Sequence, residues 1–399
     1  MPEAGRALLR RWALLFAGLL ALTSPFRYRV LPNVGSWLRP GLEAGLSTLA
    51  GRWLPGQDAA LFSDSPALWL WAALLLAATA LVAALWVRLS RRHPVAEARL
   101  GYLLHTGAAW FLALHLLEYG FDKVFKSQFY LPEPNTLYTP LGMLTPDLAY
   151  WSVMGASRSY SIFAGLTEVG AGLLLLWGRT RLLGGLLALA VLLNALALNI
   201  GFDISVKLWS GFLLGLAGVV AGPGLRTVYH ALLRERWQPP ARPRRPPGWH
   251  GRGLGAGRGL LLGLLLLETA GPFVQSGRYN DDTAPRPPLH GAYALRRAGS
   301  VDTAGATLHR LFVHRRGYLI TQGADGHFQD YPCATRPATC CCAAPTAAPL
   351  CSTTAPTAPG CTCTAASGRI RGSGWPGPCR GGSCRCCGAG GGRQPASSY

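Results

Sequence analysis

No cysteine precedes Cys333 in this chain of 399 residues, and all 11 cysteines lie from that point on. The body of the protein therefore has no thiol for disulfide exchange, no CxxC redox pair and no Cys/His zinc spacing. Charge is scarce as well. Only 14% of residues are charged, against about 25% in a typical soluble domain. Lysine is rarest of all, confined to Lys123, Lys126 and Lys207. No Walker loop occurs, and no Rossmann glycine fingerprint sits in a strand-turn-helix context. The stretch GRGLGAGRG matches only superficially and precedes an apolar run.

What is present is hydrophobic, at 50% of the chain, and gathered in blocks. A bilayer core of about 30 Å needs roughly 20 apolar residues in helical conformation. Stretches 68–87, 100–119, 160–177, 182–200 and 206–221 meet that length. Two weaker ones are 12–23, which is short, and 254–274, which contains Glu268 and Pro272. The expected fold is an all-α membrane bundle of about seven spanning helices, followed by a small β module. The first stretch also resembles a signal peptide, with a basic start and a short apolar centre.

The formal net charge of +20 would suit a nucleic-acid binder. The arginines instead occupy short segments between apolar blocks, with no basic helix interleaved with aromatics. They read as topology signal and as attraction to anionic headgroups. Arg6, Arg10 and Arg11, then Arg88, Arg91, Arg92 and Arg99, then Arg179 and Arg181, and the Pro/Arg linker all fall on one side if helices alternate. This predicts a multi-pass protein of the cell (inner) membrane, with a cytoplasmic N-terminus and an extracytoplasmic C-terminal module. The lipid bilayer is the expected partner and nucleic acid is not.

The chain divides into N-terminal helices and an outer loop (1–99), a core (100–230), a Pro/Arg linker (231–253), a seventh helix (254–277), an outer antiparallel β module (278–332) and a tail (333–399). HGAYALRR, LHRLFVHR and GYLITQ supply strands, and GADGHF a turn. The tail lacks Asp, Glu, Lys, His, Phe and Val. It reads as out-of-frame translation of a GC-rich gene or as a disordered cysteine-rich segment. Clusters such as CCC and CRCC do not have the spacing of a tetrahedral metal site, so no metal is expected.

Ionisable side chains at membrane depth are costly and normally face the bundle interior. His115, Glu118, Tyr119, Asp122 and Lys126 are spaced i, i+3, i+4, i+7 and i+11. At roughly 100° per residue all five fall within about 60° of His115. Lys123 and His105 lie at the edge of that face. The next helix brings Glu168, among Gly165, Gly170 and Gly172, which admit a close neighbour. Further on come Asn194 and Asn199, then Asp203 and Lys207 as an acid-then-base pair at i, i+4. These residues are the candidate polar pocket. Snorkelling to the interface is the plain alternative for Asp122, Lys123, Lys126 and Lys207. A packing ion pair is the plain alternative for Glu168. His105 and His115 are ten residues apart on one helix, about 15 Å, too far to ligate one haem iron.

The stretches YGFDKVFKSQF, LYTPLG and WSVMGASRSYSIFAGLTEVGAGLLLLWGRTRLLGGLLALAVLLNALALNIGFDISVKLWS resemble the DoxX-like membrane proteins over about residues 100 to 230, a third of the chain. The shared features are an aromatic-Lys-Phe turn ending one helix, a Gly-Leu-x-Glu helix with a basic turn, and the Asn, Asn, Asp, Val-Lys series. The outer β module is similar to one appended in long bacterial members, although here it ends abruptly. The resemblance implies a four-helix core. Relatives in the broad superfamily include a quinone-reducing subunit of a thiosulfate–quinone oxidoreductase, which implies by analogy a quinone and a redox partner protein. His115, Glu118, Tyr119 and Lys123 would hydrogen-bond the quinone, and Glu168 would exchange protons. Two other classes stay open: a small-solute or lipid transporter, and an envelope scaffold without catalysis.

Overall fold

The computed structural model describes residues 3–23, 28–53, 63–89, 94–233, 252–287, 289–295, 308–331, 333–336, 339–344 and 347–353. The helices are α1 (Glu3–Leu22), α2 (Val34–Trp53), α3 (Pro66–Leu89), α4 (Pro94–Val124), the single turn α5 (Pro134–Leu137), α6 (Pro146–Ala156), α7 (Arg158–Leu176), α8 (Arg181–Gly201), α9 (Lys207–Leu233), α10 (Arg252–Thr269) and α11 (Gly271–Ser276). Proline opens α3, α4, α5 and α6. There its missing N–H costs nothing and its fixed φ suits the first turn. Ser157 caps α7 by accepting the Tyr160 N–H.

Five stretches are long and apolar enough to cross a membrane: Pro66–Leu89, Glu97–Val124, Arg158–Leu176, Arg181–Gly201 and Lys207–Leu225. A bent pair, Ala256–Thr269 with Gly271–Thr283, makes a sixth if counted as one span. The chain is a membrane protein with five or six such helices among the described residues, not the seven expected. The first of the expected seven is lost because α1 carries Glu3, Arg6, Arg10 and Arg11 in its first half. The last is bent by 49°. Pro272 has no N–H to give the carbonyl of Glu268, four residues back, so the helix breaks there. The outer loop expected within residues 1–99 contains α2.

Two compact units result, Met1–Pro132 with Leu141–Ala284, and Glu133–Pro140 with Pro285–Tyr399. In the first, α4 packs against α7, α7 against α8, α8 against α9, and α9 back on α4. Leu112, Leu116, Leu117, Leu175 and Leu213 fill the centre of this ring. Helices α1 and α10 also lie against α4.

The second unit is a four-stranded antiparallel sheet in the order β1 (Gly291–Ala294), β2 (Leu308–Val313), β3 (Leu319–Gly323), β4 (Phe328–Tyr331). Phe312, Val313, Ile320 and Tyr331 are its buried hydrophobic residues, and Tyr138, just after α5, packs on Phe312. The sheet unit thus borrows a segment from the α4–α6 connection, and residues 278–284 belong with the helices. Within the cysteine-rich stretch, β5 (Cys333–Arg336), β6 (Thr339–Ala344) and β7 (Ala347–Thr353) pair as a separate antiparallel sheet. Residues 354–399 and linker residues 234–251 lie outside the described residues.

Close approach of α4 and α7 depends on glycine. A Cβ on Gly165 would stand 2.5 Å from the Gly120 carbonyl oxygen, and one on Gly172 would stand 3.2 Å from that of Ala113. A Cβ on Gly170 would meet open space. Forcing an extra methyl into such a contact costs about 1–3 kcal/mol. Gly165→Ala is therefore expected to lower the thermal midpoint of the purified protein by several degrees, while Gly170→Ala leaves it unchanged or slightly raised.

Candidate functional site

Helix α4 presents its polar stripe to α7, α9 and a strap of residues 28–33. At its centre stands His115, with no solvent exposure. Its Nε2 is 3.3 Å from the Tyr28 hydroxyl and its Nδ1 is 3.3 Å from Glu118 Oε2. Phe111, Trp209 and Tyr119 surround the imidazole at ring-centroid distances of 4.6, 5.2 and 6.1 Å. The ring therefore joins a phenol to a carboxylate inside an aromatic box. Burial, then the nearby carboxylates of Glu118 and Glu268, push the Tyr28 pKa up. Tyr28 thus stays a protonated phenol at neutral pH.

The remaining α4 residues form separate groups. Lys123 Nζ lies 2.7 Å from Glu168 Oε2, with both side chains nearly buried. Ser161 donates to the Lys123 carbonyl at 2.7 Å, tying α7 to α4 once more. Asp122 accepts from Ser127 Oγ at 2.5 Å. Lys126, just past the helix end at φ 60°, is fully buried. Its ammonium donates to the Gly155 carbonyl and lies 3.2 Å from Asp282 Oδ2.

The expectation of one common pocket is corrected in two places. Asn194 is exposed on α8 and is not part of the interior. The packing face of α8 is set by Gly184, Gly185, Ala188 and Leu192, and Asn194 lies about 200° around from Leu192. Asp203 is exposed as well. It pairs with Lys207 at 2.7 Å, and both lie beside Asp64, whose carboxylate accepts the N–H groups of Lys207 and Leu208 at 2.7 and 3.1 Å. This group caps α9. Asn199 donates to Ser210 Oγ at 3.1 Å and links α8 to α9.

Several buried polar residues were not anticipated as partners. Glu268, in the Leu-rich α10, accepts backbone N–H groups of Arg29, Val30 and Leu31 at 2.6, 2.7 and 2.9 Å. Arg11 meets Glu97 at 2.5 Å and donates to the Trp86 carbonyl. His105 lies 3.0 Å from the Val220 carbonyl and 3.4 Å from Arg181, a packing role. The signal for Glu268 was available, because an acid inside an apolar run needs a partner.

No family model matches the chain. It is 31% identical over 106 residues to the uncharacterized protein YwoB of Bacillus subtilis (strain 168), covering 24% of this chain. The chain spans 61% of that relative's length. No solved structure matches.

The sheet unit holds a cluster of its own. Glu133 Oε2 lies 3.1 Å from His290 Nε2 and 3.8 Å from His314 Nε2, and accepts the Arg315 N–H at 3.1 Å. His314 Nδ1 accepts the Arg316 N–H, and its ring stacks on Tyr318 at 4.2 Å. Among the described residues no cluster of His, Cys, Asp and Glu could hold a metal ion.

Two expectations follow. Removing one member of a buried ion pair costs about 3–5 kcal/mol, while an apolar replacement of both is often neutral. Lys123→Met alone should destabilise the helical unit by that amount, and Lys123→Met with Glu168→Leu should recover most of it in thermal unfolding. Burial, partly opposed by Glu133, lowers the His314 pKa from 6.5 to about 4. The unfolded chain then binds more protons at this ring between those values, so the sheet unit loses stability as pH falls through that window. The protection factors of the β2 and β3 amides, that is, exchange rates corrected for the intrinsic pH dependence, should fall from pH 6.5 to 4, and His314→Gln should flatten that dependence.

Proposed function

We propose that this chain is a DoxX-like integral membrane subunit that binds a lipid-soluble quinone beside His115 and serves a membrane oxidoreductase. The carrying observation is the buried imidazole held between the Tyr28 hydroxyl and the Glu118 carboxylate. A ring that can take a proton from one side and return it to the other suits a ligand whose charge changes on reduction.

The residues fit such a group. A quinone carbonyl needs a donor, which Tyr28 and His115 provide. Phe111, Trp209 and Phe212 form flat apolar walls around the same point. A bound quinone supplies a carrier for two electrons and two protons. His115 and Glu118 would orient its carbonyl and hold the proton nearest to it, with water excluded by the aromatic walls. Electrons would come from a partner protein that carries a redox centre. The arginine pattern supports a cytoplasmic N-terminus in the cell (inner) membrane and an extracytoplasmic C-terminal module.

A second reading has its own support. Lys123 with Glu168, Lys126 with Asp282 and Arg11 with Glu97 are charges neutralised within the chain, as in a scaffold whose polar groups serve assembly. A transporter would show broken helices in both halves, and the described residues show one bent pair.

Lipid extraction of the purified protein separates these readings. Quinone is expected to accompany the wild type and to be lost in His115→Phe. His115→Gln, which keeps a donor of similar size, should retain part of it and guards against misfolding. Wild-type protein free of quinone, with a folded His115→Phe variant, would favour the scaffold.

A further inference from the structure

The strap 28–33 is held in an unusual way for a segment between helices. Glu268 takes three successive backbone N–H groups, from Arg29, Val30 and Leu31, and is 8% exposed. Asn33 closes the strap on itself. Its Oδ1 accepts the Tyr28 N–H, and its Nδ2 donates to the Tyr28 carbonyl, both at 2.5 Å. One carboxylate on α10 thus fixes the position of two side chains. Tyr28 reaches His115, and Leu31 becomes one wall of a cavity of about 180 Å³.

That cavity is lined by Leu31, Trp110, Phe111, Leu114, Leu261 and Leu265, with almost no polar surface. A dry apolar cavity of about 150 Å³ takes a benzene-sized guest, so this one suits the first segment of an isoprenoid or alkyl chain. Phe111 belongs both to its wall and to the box around His115. Leu261, on α10, is exposed, so the cavity opens on that side. In lipid no hydrophobic drive favours entry. The drive is dispersion contact for a lining that otherwise faces a void.

We propose that polar head and apolar cavity form one amphiphile-binding site, running from His115 to Leu261, and that the strap, latched by Glu268, is its movable outer wall. This rests on the quinone reading for the head of the ligand and on the cavity for its tail. Glu268 is a positioning residue. It touches no ligand, but it sets whether the Tyr28 hydroxyl stands against His115 Nε2 or leaves that nitrogen to a carbonyl.

The test uses the full chain in lipid nanodiscs, as wild type, Glu268→Ala, Glu268→Gln and Leu265→Phe. Two photoreactive probes carry a diazirine on a ten-carbon chain, one with a benzoquinone head and one without. In the wild type the Arg29, Val30 and Leu31 amides should exchange slowly. In both Glu268 variants they should exchange at least about tenfold faster, with α4 and α7 amides unchanged. The headed probe should label residues 110–114 and 261–265 in the wild type and dissociate faster from Glu268→Ala. Leu265→Phe fills the cavity, so it should lose the labelling while keeping slow exchange at 29–31. Labelling confined to other faces of the bundle would overturn the proposal, as would equal exchange at 29–31 in wild type and Glu268→Ala. Cavity labelling by the headless probe but not by the quinone would uphold the cavity and latch and overturn the quinone reading.

Discussion

The backbones of α4 and α7 meet where neither has a side chain. Gly120 and Gly165 face each other so closely that a Cβ on either would strike the other's carbonyl. That contact places Lys123 and Glu168 2.7 Å apart with both side chains nearly buried. Close approach is thus what makes the ion pair short, and the ion pair is what makes two charges tolerable at that depth. A looser crossing would leave each charge to find a separate partner. The ring α4, α7, α8, α9 closes on this crossing, because Gly184 and Gly185 then let α8 pass near both the α7 end and α9.

From the same α4 the strap and α10 take their places. Its stripe points His115 away from Glu168 and toward Tyr28, while Trp110, Phe111 and Leu114 line the cavity. The break before Pro272 follows Glu268 by only a few residues. Weakened helix geometry and a buried carboxylate therefore fall together at the latch.

The periodic part of this arrangement was legible in the sequence. The α4 spacing i, i+3, i+4, i+7, i+11 depends on nothing beyond 3.6 residues per turn, and the four long apolar helices of the ring were each found, although α4 starts six residues before the expected stretch and α9 runs 12 residues beyond it. The Gly165 and Gly172 contacts were legible too, whereas Gly170, in the same motif, faces open space. What could not be read was non-local. Asp282 comes to Lys126 across more than 150 residues of chain, and Arg29, Val30 and Leu31 offer Glu268 only backbone, which leaves no trace in composition. Asn194 shows the converse. Polarity inside an apolar run signals a need for a partner but does not say on which face it lies, and the α8 face was decided by Gly184, Gly185 and Ala188, up to ten positions earlier.

Closure distinguishes the polar groups from one another. In the Lys123 and Glu168 pair, and in Lys126 with Asp282 and the Gly155 carbonyl, opposite charges meet inside the chain, so a ligand would have to break a buried pair to enter. The His115 group differs in kind. Its members are a neutral phenol, a titratable ring and a partly exposed carboxylate, contacts that exchange at lower cost than an ion pair. One of the three, Tyr28, rides on a strap rather than a spanning helix. Binding along the polar stripe of α4 is favoured where the existing contacts are weakest and one wall is not a helix, and both conditions meet at His115.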